Sequence, residues 1–103
     1  MGKLKGYQKK YLRGLAHSRK PVVHIGQGGL TDAVTHSLDM ALNRHELIKV
    51  KFGAFKEKAQ KEEISAKIRE ITNSEWVGTI GHTALFFRPQ KDPQKRKIVL
   101  PDR

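Results

Sequence analysis

Leu4, Tyr7, Tyr11 and Leu15 recur at helical spacing over residues 4–16, with Lys5, Lys9, Lys10 and Arg13 elsewhere around the turn. The pattern predicts an amphipathic basic helix that gives Tyr7, Tyr11 and Leu15 to the core. It stops before Pro21, which cannot continue a helix. Val22-Val23-His24-Ile25 is a short β-branched run and predicts a strand. Gly26-Gln27-Gly28-Gly29 follows, and Leu30, Val34, Leu38, Ala41 and Leu42 then share one face of a second helix. Thr31 is its expected N-cap, Asp32 lies in its first turn, and the helix should end near Arg44-His45. From Leu47 to Phe52, Ile48, Val50 and Phe52 alternate with Lys49 and Lys51. That predicts a strand in a sheet with one covered face and one wet, basic face.

Gly53-Ala54-Phe55-Lys56 reads as a loop. A third helix is expected to about Asn73, turning Ile64, Ile68 and Ile71 inward. Glu57–Lys61 and Glu63–Lys67 are i,i+4 pairs on it, each favourable by a few tenths of a kcal/mol. Trp76 to Ile80 and Thr83 to Arg88 predict two strands joined through Gly81-His82, where glycine at the first central position suits a type II′ turn. The order is α-β-α-β-α-β-β. Strand–helix–strand units favour parallel pairing and the final hairpin is antiparallel. The expected fold is therefore α/β, a two-layer arrangement with a mixed four-stranded sheet. Residues 1–89 form the expected domain. Residues 90–103, with Lys91, Lys95, Arg96 and Lys97, form an expected basic, flexible tail.

Composition narrows the class. A chain of 103 residues, 37% hydrophobic and 30% charged, suits one solvated globular domain. No apolar run approaches the ~20 residues of a membrane span. The start, Met-Gly-Lys-Leu-Lys-Gly, lacks the apolar stretch of a secretory signal, and Gly6 stands where a myristoylation signal has serine or threonine. With no cysteine, disulfides and thiolate metal sites are excluded. A cytoplasmic monomer is the expectation. Lysine and arginine number 21 against 10 acidic residues, a formal net charge of +11. Such an excess opposes folding by self-repulsion and points to a polyanionic partner, nucleic acid before a membrane surface.

A loop running from a strand into a helix N-terminus is a natural anion site, because unpaired N–H groups and the helix dipole face the ligand. Gly26-Gln27-Gly28-Gly29 is a Gly-x-x-Gly loop, the pattern with which KH-type domains clamp a nucleic-acid backbone. The competing reading is a tight strand-to-helix connection. His17, Arg19, Lys20, Lys49 and Lys51 are candidates for an electrostatic floor beneath it. A Walker loop fails, since Leu30 and Thr31 follow Gly29, and a dinucleotide fingerprint fails because Thr31 replaces its third glycine. His17, His24, His36, His45 and His82 are scattered without metal-ligand spacing, and no catalytic trio stands out. No cofactor, metal or enzymatic activity is expected. Phe55 is open to two readings, stacking on a base or capping the core.

Leu12-Arg13-Gly14-Leu15-Ala16-His17 and Lys20 through Thr31 resemble the bacterial YhbY family, the stand-alone form of the CRM domain (chloroplast RNA splicing and ribosome maturation). His45 through Lys51 and Ile80 through Arg88 resemble two further blocks of it, in the same order. The resemblance implies a fold similar to the C-terminal domain of translation initiation factor three. It also implies RNA binding and association with rRNA of large-subunit precursors. Carried onto this chain, Gly26, Gln27, Gly28 and Gly29 would contact RNA, supported by Lys5, Lys9, Arg13, Arg19, Lys20, Lys49 and Lys51. The family often has lysine where Gln27 stands and an apolar residue where Arg19 stands, and the tail after Pro89 lies outside the resemblance. The alternatives from other classes are a nonspecific DNA-binding protein and a phosphate- or nucleotide-binding enzyme.

Overall fold

The computed structural model describes residues 3–102. Its elements run α1 (Gly6–Ala16), β1 (Val23–Ile25), α2 (Asp32–His45), β2 (Leu47–Phe52), α3 (Lys58–Thr72), β3 (Glu75–Ile80) and β4 (Thr83–Phe87), then a single 3-10 turn at Pro93–Lys95. The expected mixed sheet forms with strand order β1-β2-β4-β3. β1 lies parallel to β2, with Val23 opposite Val50 and Ile25 opposite Phe52, while β4 is antiparallel to both β2 and β3. The positive φ of Gly81, 59°, fits the type II′ reading of the β3–β4 turn.

Local chemistry sets the element ends. The Thr31 hydroxyl accepts from the Val34 amide at 3.2 Å and caps α2, as its sequence position predicts. α2 ends at Glu46, whose φ of 63° lets the chain turn directly into β2. α3 ends at Asn73 in the left-handed conformation, which asparagine tolerates better than most residues.

Alternation along β2 divides the interior in two. Ile48, Val50 and Phe52 join Val23, Ile25, Leu38, Leu42, Ile68 and Phe86 in the larger cluster, beneath α2 and α3. Leu47 faces the other way and packs with Leu4, Leu12, Ala16, Val77, Leu85, Phe87 and Ile98. α1 and the C-terminal segment cover the half of that second face nearest Leu47 and Phe87. The open basic face survives only on the other half, at Lys49 and Lys51. The inward face of α1 also differs from expectation. Leu12 and Ala16 are buried, whereas Tyr11 is 41% exposed. The small Ala16 lets the helix approach the strands closely, and Tyr7 instead donates its hydroxyl to the Asp102 carbonyl at 2.5 Å. In α3, Ser65, Ile68 and Thr72 point inward, and Ile71 is 56% exposed. Glu63 and Lys67 pair at 3.2 Å, but Lys61 leaves Glu57 for the β3–β4 turn.

The segment after Pro89, expected to be a flexible tail, is folded onto the domain. Glu46 is fully buried, and its carboxylate accepts from the amides of Gln90 (2.7 Å), Lys97 (2.8 Å) and Ile98 (3.0 Å). Those bonds carry the chain back across the sheet and place Ile98 in the second cluster. Three charge-assisted donors are what makes a buried carboxylate tolerable there.

Candidate nucleic-acid interface

Parallel pairing puts the ends of β1 and β2 side by side, so the loops that follow them meet. The amides of Gly53 and Ala54 both donate to the Ile25 carbonyl, at 2.9 and 3.1 Å. The Phe52 amide donates to the His82 carbonyl at 2.8 Å, which brings the β3–β4 turn to the same edge. Lys61 of α3 reaches across to the Gly81 carbonyl at 2.5 Å and lies 3.3 Å from His82 Nδ1. One end of the sheet thus gathers Gly26–Gly29, Gly53–Lys56 and Gly81-His82.

Within the glycine loop, the Gly29 amide donates to the Gly26 carbonyl at 3.0 Å and the Thr31 amide to the Gly29 carbonyl at 3.1 Å. The amides of Gln27, Gly28, Asp32 and Ala33 meet no acceptor among the described residues, which leaves them for water or an anion at the positive end of α2. Only one of the three glycines is demanded by the fold. Gly29 has φ +68°, a conformation that strains an L-residue, and Phe55 lies beneath it. Gly26 and Gly28 have no such φ; a Cβ on Gly26 would meet nothing within 4 Å, and one on Gly28 would touch only the Thr31 methyl at 3.4 Å. Phe55 packs against the larger cluster and supports the loop from below, the core-capping alternative of the two.

The expected cations divide by position. Lys51 lies opposite His24 in the β1–β2 register, on the face away from the larger cluster, just short of the loop. Arg13, His17, Lys49 and Lys51 line one cleft on that face, together with Ile80 and Thr83. Lys9 and the N-cap Lys5 continue the stripe of Arg13 one and two turns back along α1. Arg19 and Lys20 are not brought to the loop. The Arg19 guanidinium donates to the Leu47 carbonyl at 3.0 Å, at the opposite end of β2, and the Lys49 ammonium donates to the Arg19 carbonyl at 2.8 Å. The floor proposed beneath the loop from sequence is therefore a track along β2 that begins beside the loop and ends at the far edge. Sequence reasoning missed Lys56, Lys61 and His82 at the loop end. Their signal was topological, since the parallel β1–β2 pair already fixes which connections share an edge.

Among the described residues, no group of three His, Cys, Asp or Glu side chains is placed to hold a metal ion, and no helix is long and apolar enough to cross a membrane. The electropositive character is felt by His45, whose pKa is lowered by partial burial and then by Arg44, Arg19 and Lys97.

The sequence model of the CRS1 / YhbY (CRM) domain matches residues 4–88, from the start of the α1 segment to the residue after β4. The chain belongs to this family. A Haemophilus influenzae protein named as RNA-binding is 44% identical over 91% of this chain and 91% of its own length. A Bacillus subtilis protein named as a probable RNA-binding protein is 33% identical over 95% of this chain and 99% of its own. The solution structure of a Staphylococcus aureus protein proposed to bind RNA superposes with a TM-score of 0.81 at 37% identity, covering 95% of this chain and 99% of that one. The match to the CRM domain stops at residue 88, so the segment that Glu46 holds lies beyond it.

Proposed function

We propose that this CRM domain is an RNA-binding protein that clamps the RNA backbone at Gly26–Gly29 and serves large-subunit ribosome assembly as a cytoplasmic monomer. The observation that carries the reading is the pair Gly26 and Gly28. Neither needs to be glycine for its own backbone or packing, so the missing side chains serve something outside the chain. A phosphate approaching the amides of Gln27, Gly28, Asp32 and Ala33 is that kind of visitor. Gln27 adds hydrogen-bonding capacity without charge, so the ionic contribution comes from Lys51, Lys49 and Arg13 on the adjoining face. The relatives named as RNA-binding support RNA over other polyanions. Backbone contacts position an RNA without reading its bases, so recognition by shape is expected. The domain acts by binding and not by catalysis.

The test is binding of a fluorescent large-subunit rRNA fragment to wild type and to the Gln27→Asp/Gly28→Asp variant at matched salt, with circular dichroism to show that both fold. The variant places carboxylates where a phosphate is expected, and the space beside Gly28 accommodates its Cβ. A loss of tenfold or more, about 1.4 kcal/mol, is expected. Unchanged affinity would make the loop a plain connection. A preference for duplex DNA at the same salt would favour a nonspecific DNA-binding protein instead.

A further inference from the structure

A second groove lies at the end of the sheet opposite the glycine loop. Val22 and Met40, both exposed, form its apolar floor, and Lys20, Arg44, Lys95 and Lys97 stand around it. Three separate stretches of chain supply these cations: the α1–β1 connection, the end of α2, and the C-terminal segment. They come together because Glu46 draws the amides of Gln90, Lys97 and Ile98 to the end of α2. No aspartate or glutamate lines the groove, in contrast to the neighbouring surface around Arg88, where Asp39 and Asp92 are present. The one carboxylate at hand, that of Glu46, is buried and taken up by backbone amides, so the cations around the groove outnumber it; such an excess opposes folding, and a bound polyanion offsets it.

We infer that this groove is a second RNA-binding surface that continues the path of the RNA from the glycine loop across the sheet. The inference rests on the RNA-binding reading above and adds a site to which Lys95 and Lys97, outside the CRM match, contribute beside Lys20 and Arg44 within it. Continuity favours RNA over an acidic protein: Lys49 lines both this groove and the cleft with Arg13, His17 and Lys51, so one positive track joins the two ends. β2 spans the gap, about 17 Å over the steps from its first to its sixth residue at ~3.3 Å each. The exposed Val22 and Met40 give a ribose or base an apolar surface to rest on while the cations hold phosphates. The pKa of His45, lowered first by burial, is lowered further by Arg44, Arg19 and Lys97, which face it from three stretches of chain.

The experiment compares wild type, the loop variant Gln27→Asp/Gly28→Asp, and a groove variant Lys20→Gln/Arg44→Gln/Lys95→Gln, all at exposed positions. Binding to the large-subunit rRNA fragment is titrated from 50 to 200 mM salt. The groove variant should bind at least tenfold more weakly, and its log–log salt slope should fall by about 2, near 0.7 for each lost phosphate contact on single strands. Wild-type affinity and slope in the groove variant, with the loop variant weakened, overturn the inference and leave the proposed function standing. A weakened groove variant beside an unaffected loop variant supports the groove and overturns the loop reading. Absence of RNA binding by wild type overturns both. Polyglutamate binding that the groove variant loses, with RNA binding intact, reassigns the groove to an acidic protein.

Discussion

Glu46→Gln tests whether the C-terminal segment is held as described. In the wild type one carboxylate oxygen accepts from Lys97 and Ile98 and the other from Gln90. Glutamine keeps one acceptor and turns an NH2 toward the Gln90 amide, so one bond to a charged acceptor is lost outright, about 1.5–3 kcal/mol. The two remaining bonds become neutral ones of about half the strength, which raises the upper bound. The loss is limited from the other side, because a segment that undocks finds water for its amides. We therefore expect about 2–3 kcal/mol, seen as local opening of the segment. Native-state amide exchange measures it directly: Lys97 and Ile98 should exchange roughly 30–140 times faster, at 1.4 kcal/mol per tenfold. Ala84 and Phe86, buried in β4, should change far less. Less than a threefold change at Lys97 and Ile98 would refute the clamp.

Gly29→Ala should cost about 1–2 kcal/mol because of its φ of +68°, whereas Gly26→Ala should leave the melting temperature unchanged and still weaken RNA binding. Calorimetry and the rRNA titration on the same two variants separate the structural from the proposed functional glycine. Arg88→Ala removes the 2.8 Å ion pair with Asp39 and the bonds to the Thr72 carbonyl and the Asn43 side chain. The urea midpoint should fall by about 1 M, corresponding to roughly 2 kcal/mol. His45 binds a proton less readily when folded than when unfolded, so its contribution is present above its ordinary pKa of 6.5 and is lost as pH falls through the lowered value. Stability measured from pH 7.5 to 5 should therefore decline less steeply in His45→Gln; equal slopes would show that His45 is not the group responsible.

What the sequence revealed was mostly what neighbours in the chain decide. The alternation from Leu47 to Phe52, the Thr31 cap and the glycine at the hairpin turn each depend on residues a few positions apart, and each is found where the pattern put it. Family blocks from Leu12 to Arg88 carried the sheet and its connections. Features that depend on distant partners were not legible. The four-residue spacing of Tyr7, Tyr11 and Leu15 competes with that of Leu12 and Ala16, and only the sheet decides between them. Glu46 looked like any acid between a helix and a strand, because its partners are 44 to 52 residues further on. Arg19 and Lys20 precede the loop by only a few residues in sequence, yet a strand running away from them separates the two.

The strand order has a consequence for synthesis. β4 is made last but sits between β2 and β3, so each of its two long edges must be occupied before the sheet exists. Between the completion of Phe52 and that of Phe87 the ribosome adds 35 residues, about 2–7 s at ~5–20 residues per second. Throughout that interval the nascent chain holds a β2 edge whose natural neighbour has not been translated. Edges of this kind recruit other strands, and Lys49 and Lys51 on β2 supply the charge that discourages such pairing. A message truncated within codons 53–82 would yield a product that chaperones and proteases must handle, whereas completing β4 closes the sheet and leaves only the segment held by Glu46 to dock.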